Sequence, residues 1–164
     1  STEKMHLYPI PESKYYEFAA YWMQKKQIEL SQELFHDIYQ QFDGHTWYVQ
    51  YVLNLLYGAV TTAVKKEDIH KAIVHIMQRE QELFQTTYDK LTDNQAALLV
   101  AIAKEGIVPA INAGEFIRKY NLKGTSSVNK ALEYLINKEL AYQTSQGYII
   151  YNRFFGLWLK ELIN

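Results

Sequence analysis

The chain has 164 residues and a formal net charge of −1, which fits one domain or two small ones. Hydrophobic residues make up 48% of it, so a core can form and extended disorder is excluded. The absence of cysteine excludes disulfides and thiolate metal sites and is typical of a cytoplasmic protein. No apolar run reaches the roughly 18 residues of a membrane helix, so no membrane contact is expected. Since Ser1 and not a methionine comes first, we expect a segment cut from a longer protein.

The charge is unevenly distributed. Residues 1–90 carry a net charge of −3, whereas residues 91–164 carry +2. Between residues 118 and 138 the only acidic residue is Glu133. A short basic stretch of this kind favours contact with a phosphate backbone. Its cations are Arg118, Lys119, Lys123, Lys130 and Lys138.

The first half of the chain predicts a helical bundle, because no proline interrupts residues 12–105. Helices are expected over residues 13–26, from Ser31 to the stop at Asp43–Gly44, over residues 45–61 and as one long helix over residues 66–89. The helix over 45–61 is apolar nearly all round, which predicts a central position in the bundle. The inward positions expected on the first helix are Tyr15, Phe18, Ala19 and Trp22; those on the last are Ile69, Ile73, Ile76, Met77, Leu83, Phe84 and Tyr88.

The second half has a different pattern from residue 91 onward. Thr92 and Gln95 have the spacing of a capping box at the start of a helix that Gly106 ends. Asn112 is expected to cap a short second helix, and a turn over residues 121–124 leads to a third helix from about Thr125. Strands over 140–144 and 148–151 then form a hairpin, followed by a last helix after residue 152. This order is that of a winged helix. The inward positions expected on the third helix are Val128, Leu132, Leu135 and Ile136.

The fold class is therefore mainly α. We expect a helical, lid-like bundle over residues 1–90 and a winged-helix domain with a small hairpin and a C-terminal helix over residues 91–164.

No catalytic or metal site is predicted. The chain has no phosphate-binding loop and no zinc-binding His-Glu-x-x-His sequence. His70 and His75 are five residues apart, a spacing that does not place them on one helical face. Glu80 and Glu82 diverge on a helix and make no acid–base pair.

The candidate nucleic-acid-binding residues belong to the helix-turn-helix of the second half. The N-terminal residues of a recognition helix contact base edges, whereas neighbouring cations contact phosphates. The alternative is an ordinary solvated helix face, which the cation-free hairpin tip favours. The candidates are Arg118, Lys119, Lys123, Ser126, Ser127, Asn129 and Lys130.

Several short segments in fixed order carry a resemblance to a known family. They cover residues 6–11, 15–18, 44–50, 82–84, 91–95 and 151–159. Through them the chain resembles the C-terminal part of AAA+ ATPases of the STAND-like archaeal-ATPase family.

The resemblance implies that the first half is the helical lid of a P-loop ATPase and the second half its appended winged helix. ATP and Mg²⁺ would then bind an upstream core of the same polypeptide, outside this chain. In the family, the segment over residues 44–50 lies near the nucleotide, which makes Gly44 and His45 the candidates for that position. Thr46 stands where the family usually has proline. The aromatic-rich segment over residues 7–22 is the face expected to contact the core.

Three functions follow as alternatives. The chain is the regulatory C-terminal part of an ATPase, a DNA-binding transcription regulator with a helical sensing domain, or a protein–protein module built on a winged helix. Salt-dependent binding to duplex DNA distinguishes the second function from the third.

Overall fold

The computed structural model describes residues 9–162. Of the described residues, those up to His75 form one compact unit and those from Ile76 onward form another. The helices and strands are α1 (Glu12–Lys25), α2 (Gln32–Gln41), α3 (Thr46–Ala59), α4 (Lys66–Arg79), α5 (Gln81–Asp89), α6 (Asp93–Glu105), α7 (Gly114–Lys119), α8 (Thr125–Asn137), β1 (Ala141–Thr144), β2 (Gly147–Ile150) and α9 (Arg153–Glu161). The expected mainly helical fold class is confirmed.

The N-terminal unit begins with α1, α2 and α3, whose limits follow the sequence signals. The Ser31 hydroxyl accepts a hydrogen bond from the Leu34 amide at the start of α2, as expected of an N-cap. Asp43 and Gly44 both take positive φ and end that helix. A parallel bridge joins Glu29 to the loop after α3, with the Glu29 amide 2.8 Å from the Thr62 oxygen.

Two expectations about burial in this unit were wrong. Phe18 and Trp22 on α1 are 56% and 45% exposed, because Tyr15, Ala19 and Met23 form the buried stripe. Trp47 on α3 is 62% exposed, so α3 has an exposed side and is not enclosed. A helix that is apolar all round can therefore lie at the surface of a small unit when its aromatic residues remain in solvent.

The long helix expected over residues 66–89 is two helices, because the backbone at Glu80 departs from helical geometry and begins α5. The apolar stripe of α4 ends at Met77 and no apolar residue occupies the next turn. The break lets Phe84 of α5 stack on Phe155 of α9 with ring centroids 5.0 Å apart, while Leu83 stays exposed, contrary to expectation. The Trp158 indole N–H also donates to Gln81 Oε1 at 2.6 Å.

These contacts place α5 with the C-terminal unit. The domain boundary expected at residue 90 therefore differs from the division after His75. The signal used for that boundary was the capping box of Thr92 and Gln95, which is present. It marks the start of a helix, and a helix can start inside a domain.

The C-terminal unit has the order of a winged helix: α6, α7, α8, the hairpin of β1 and β2, and then α9. The strands pair antiparallel, with Thr144 opposite Gly147. Val108, between α6 and α7, adds an antiparallel bridge to Tyr148 through two hydrogen bonds of 2.9 and 3.0 Å. This bridge holds the hairpin beside the helices.

Two details of this unit differ from expectation. Ala113, not Asn112, occupies the N-cap position of α7, and it makes no side-chain cap. Ile136 is exposed, since it lies beyond the edge of the stripe formed by Val128, Leu132 and Leu135.

Candidate nucleic-acid interface

Helix α8 is the element that positions the candidate interface. One face of α8 is buried through Val128, Ala131, Leu132 and Leu135 in the C-terminal unit. The helix begins after Gly124, whose φ of 143° is costly for any residue with a side chain. No side chain caps this start, so the first backbone amides have no side-chain acceptor and point out of the helix end.

The exposed face of α8 brings together three of the candidates. Ser126, Asn129 and Lys130 are all exposed, and helical spacing places them side by side in the first two turns. Ser127 lies at the edge of this face and is half-buried. Glu133 follows Lys130 on the same exposed side and offsets its charge. The face is therefore polar and carries no net charge.

Arg118 and Lys123 flank this face in sequence, at the end of α7 and in the turn before α8. Neither side chain is buried. The Arg118 guanidinium folds back over Gly114, where an added Cβ would lie 2.8 Å from Nη1. The turn is fixed by Asn121, which takes a φ of 52°. These two cations can reach a bound polyanion because no carboxylate in the described residues lies within salt-bridge distance of either.

Lys119 is engaged differently. Its ammonium lies 2.6 Å from Glu105 Oε1 at the end of α6, and the Tyr120 hydroxyl donates to the same oxygen at 2.6 Å. The hydrogen bond from Lys119, then that from Tyr120, holds the pKa of Glu105 below its usual value, and Glu105 in turn raises the pKa of Lys119. Lys119 therefore keeps its positive charge, which the carboxylate of Glu105 balances. No local pattern signals this pair, because the two residues are 14 apart and meet only where the end of α6 comes near the end of α7.

The wing is short and uncharged at its tip. Thr144 opposite Gly147 leaves only Ser145 and Gln146 in the loop. The Thr144 hydroxyl accepts from the Gln146 and Gly147 amides, both at 3.2 Å, which fixes the turn. A Cβ on Gly147 would lie 2.5 Å from the Val108 oxygen, so glycine is required at this position. A tip of this size and charge adds nothing to phosphate binding.

An aromatic pair behind the wing was missed by sequence reasoning. The rings of Tyr142 and Tyr151 meet edge to face with centroids 5.5 Å apart. Tyr151 is partly exposed. Strand alternation alone could have placed Tyr142 on the outer face, but not its contact with a residue beyond β2.

Gly44 and His45, the candidates near a nucleotide, lie between α2 and α3. Gly44 is buried with a φ of 71°, and a Cβ there would lie 2.6 Å from the Tyr39 ring. His45 occupies the N-cap position of α3 without a side-chain cap bond, and its ring lies 6.1 Å from that of Tyr48. Nucleotide proximity stays a prediction for both residues.

Residues 9–162 hold no group of three side chains arranged to bind a metal ion. None of the helices within that range is both long and apolar enough to cross a bilayer.

Comparison with known proteins supports the C-terminal architecture. Residues 82–161 match a family model described as a probable winged helix domain. The match begins inside α5, so the matched region includes the helix that packs on α9. Neither a curated protein nor a solved structure matches the chain.

Proposed function

We propose that the chain is the non-catalytic C-terminal part of an ATPase and that its winged helix binds duplex DNA through α8. The observation that carries DNA binding is the exposed start of α8, where Ser126, Asn129 and Lys130 share one face. Serine and asparagine can hydrogen-bond base edges, and a lysine can reach guanine or phosphate. Winged-helix domains bind DNA or proteins, and this face has the side chains for the former.

The charges predict weak and salt-sensitive binding. Arg118, Lys123 and Lys130 form no salt bridge within residues 9–162 and can contact phosphate, whereas Lys119 is paired with Glu105. Three phosphate contacts give a slope of about −2.7 for the logarithm of the binding constant against the logarithm of salt concentration. An interface with so few cations belongs in the micromolar range at physiological salt.

The test is a titration of the chain into a labelled duplex at several salt concentrations. The double variant Arg118→Ala with Lys130→Ala should weaken binding and lower the magnitude of the slope by about 1.8. Lys66→Ala, which removes an exposed cation from α4, is the matched control and should leave the slope unchanged. A duplex that does not bind even at low salt would remove DNA from the proposal.

A protein partner is the second candidate, favoured by one observation. The wing tip is uncharged, and Glu133 lies in the middle of the exposed face of α8. A carboxylate there repels phosphate but can pair with a lysine or arginine of a protein. Stronger DNA binding by the Glu133→Gln variant would support DNA as the ligand of α8. A stable complex with a protein, without DNA binding, would support the protein partner instead.

The ATPase parent rests on the resemblance and on the order of a helical unit before a winged helix. An upstream core in the same polypeptide would bind ATP and Mg²⁺, and the helical unit would cover that core as a lid with Gly44 and His45 towards the nucleotide. Cytoplasmic location follows for such a protein. The full-length protein should then bind ATP with micromolar affinity, whereas this chain should not; equally tight binding by the chain alone contradicts the proposal.

A further inference from the structure

An apolar groove runs between α1 and α3 in the N-terminal unit. Its cavity volume is about 340 Å³. Met23 and Leu53 are buried along it, and the exposed rings of Phe18 and Trp22 rise from the α1 side. Tyr15, buried in the same groove, has its pKa raised to about 12 by loss of solvent. A continuous apolar surface of this kind in water commonly marks an interaction site.

Hydrogen bonds from side chains hold the two walls in place. The Tyr15 hydroxyl donates to Gln50 Oε1 at 3.3 Å, and Gln50 donates to Asn54 Oδ1 at 2.8 Å. At the far end Lys26 Nζ donates to the Tyr57 carbonyl oxygen at 2.8 Å. The groove is thus a preformed feature whose polar side chains on the α3 side are all uncharged.

The rim of the groove is positively charged. Lys25 Nζ lies 4.4 Å from the centre of the Trp22 ring, and Lys14 precedes Phe18 by one helical turn on the same side. Lys26 closes the end of the groove above the Tyr57 ring, at 4.4 Å from its centre. Within residues 9–162, no carboxylate lines the groove and none forms a salt bridge with these three lysines.

The dimensions favour a helix over a compact ligand. From Tyr15 to Met23 the α1 wall of the groove extends about 12 Å, at about 1.5 Å per residue, which corresponds to just over two turns of an α-helix. Phe18 and Trp22 on this wall are 56% and 45% exposed, so the groove is open to solvent, whereas a small molecule is typically enclosed on most of its surface. Two parallel ridges of helical side chains accept the apolar stripe of a third helix.

We propose that this groove binds an amphipathic helix of a partner protein whose apolar stripe is flanked by aspartate and glutamate. Leucine or aromatic side chains of that helix would enter between Phe18, Trp22 and Leu53. Its carboxylates would pair with Lys14 and Lys25, which lie beside the aromatic wall. This inference does not rest on DNA binding by α8 or on the ATPase parent, and it replaces the ATPase core as the partner expected for the face over residues 7–22.

The experiment uses two labelled synthetic helices of about 16 residues, long enough to populate helix in water. Both carry leucine and phenylalanine on one stripe; one carries glutamate at the flanking positions and the other lysine. The chain should bind the acidic peptide at least about tenfold more tightly than the basic one at low salt. Amide chemical shifts should change in α1 and α3.

Variants of exposed residues locate the site. Phe18→Ser with Trp22→Ser should weaken acidic-peptide binding at least about tenfold. Trp47→Ser removes another exposed aromatic that does not line the groove and is the matched control, with no expected change. Lys14→Glu with Lys25→Glu should reverse the preference between the two peptides, which a general loss of folding cannot do.

Three results would overturn the inference. One is the absence of binding by the acidic peptide at about 100 µM, a concentration that would occupy even a weak docking site. Another is binding that the Phe18 and Trp22 substitutions leave unchanged. The third is self-association of the chain that those substitutions abolish, because the occupant would then be a second copy.

Discussion

The two compact units use the same aromatic residue types in opposite ways. In the C-terminal unit Phe84, Phe155 and Trp158 are buried between α5 and α9, with ring centroids 5.0 to 5.9 Å apart. In the N-terminal unit Phe18 and Trp22 stay exposed on α1, with their own rings 6.1 Å apart. Buried rings stabilise a fold, whereas exposed rings remain available to a partner. Aromatic content alone therefore does not distinguish a core from a binding surface.

The largest effect is expected from the buried aromatic cluster of the C-terminal unit. Trp158→Ala removes a buried ring and the 2.6 Å hydrogen bond to Gln81, and should lower the free energy of unfolding by about 3–5 kcal/mol. Trp22→Ala should lower the free energy of unfolding by less than about 1 kcal/mol, because the Trp22 ring is already exposed to solvent. Urea denaturation of both variants measures the difference. Equal losses would show that the two aromatic groups do not differ in role.

The wing should be nearly as sensitive at one position. Gly147→Ala places a Cβ against the Val108 oxygen and keeps a φ of 144° that alanine rarely adopts. We expect a loss of about 2 kcal/mol in the free energy of unfolding. Ser145→Ala in the same hairpin is the control and should change it by less than about 0.5 kcal/mol. A stable Gly147→Ala variant would mean that the Val108 bridge does not hold the hairpin.

A smaller effect is expected at the start of α6. The Thr92 hydroxyl oxygen accepts from the Gln95 backbone amide, and the Gln95 side-chain oxygen accepts from the Thr92 backbone amide. Thr92→Ala should lower the free energy of unfolding by about 1 kcal/mol, whereas Thr92→Ser should keep most of the stabilisation because serine also caps helices. Thermal unfolding of the two variants provides the comparison; identical melting temperatures would argue against the cap.

The smallest effect concerns an exposed pair in the N-terminal unit. His36 Nδ1 lies 2.9 Å from both carboxylate oxygens of Glu12. This hydrogen bond raises the pKa of His36 and lowers the pKa of Glu12. The contribution of His36 to stability is complete below its usual pKa of 6.5, and it is lost as pH rises through the raised pKa. The contribution of Glu12 to stability is complete above its usual pKa of 4.5, and it is lost as pH falls through the lowered pKa.

Stabilisation by this pair is therefore greatest between about pH 4.5 and 6.5. His36→Ala should lower the melting temperature slightly at about pH 5.5 and not at about pH 9. Because both groups are in solvent, added salt should reduce the effect. An equal change at both pH values would assign the loss to packing and not to charge.

Sequence patterns predicted the elements better than their surroundings. The helix starts at Ser31, Thr92 and Asn152 depend on hydrogen bonds within a few residues, so the sequence contains them in full. The hairpin over residues 141–150 was predictable for the same reason. Burial depends on which neighbour a helix meets, and for that reason Phe18, Trp22 and Ile136 were expected to be buried although they are exposed.

The candidate interface shows the same division. The exposed positions of Ser126, Asn129 and Lys130 follow from helical periodicity, which the sequence contains. The ion pair between Lys119 and Glu105 forms because the ends of α6 and α7 come close in the folded unit, which local patterns do not contain. A count of cations from sequence therefore overstates the charge available to phosphate by one.

The most direct test of DNA binding through α8 is the salt dependence of duplex binding, measured for the chain and for Lys119→Ala and Lys130→Ala. We predict a slope of about −2.7, which Lys130→Ala reduces in magnitude to about −1.8 and Lys119→Ala leaves unchanged, since Lys119 is already paired with Glu105. Equal effects of the two substitutions, or no binding at low salt, would contradict DNA binding through α8.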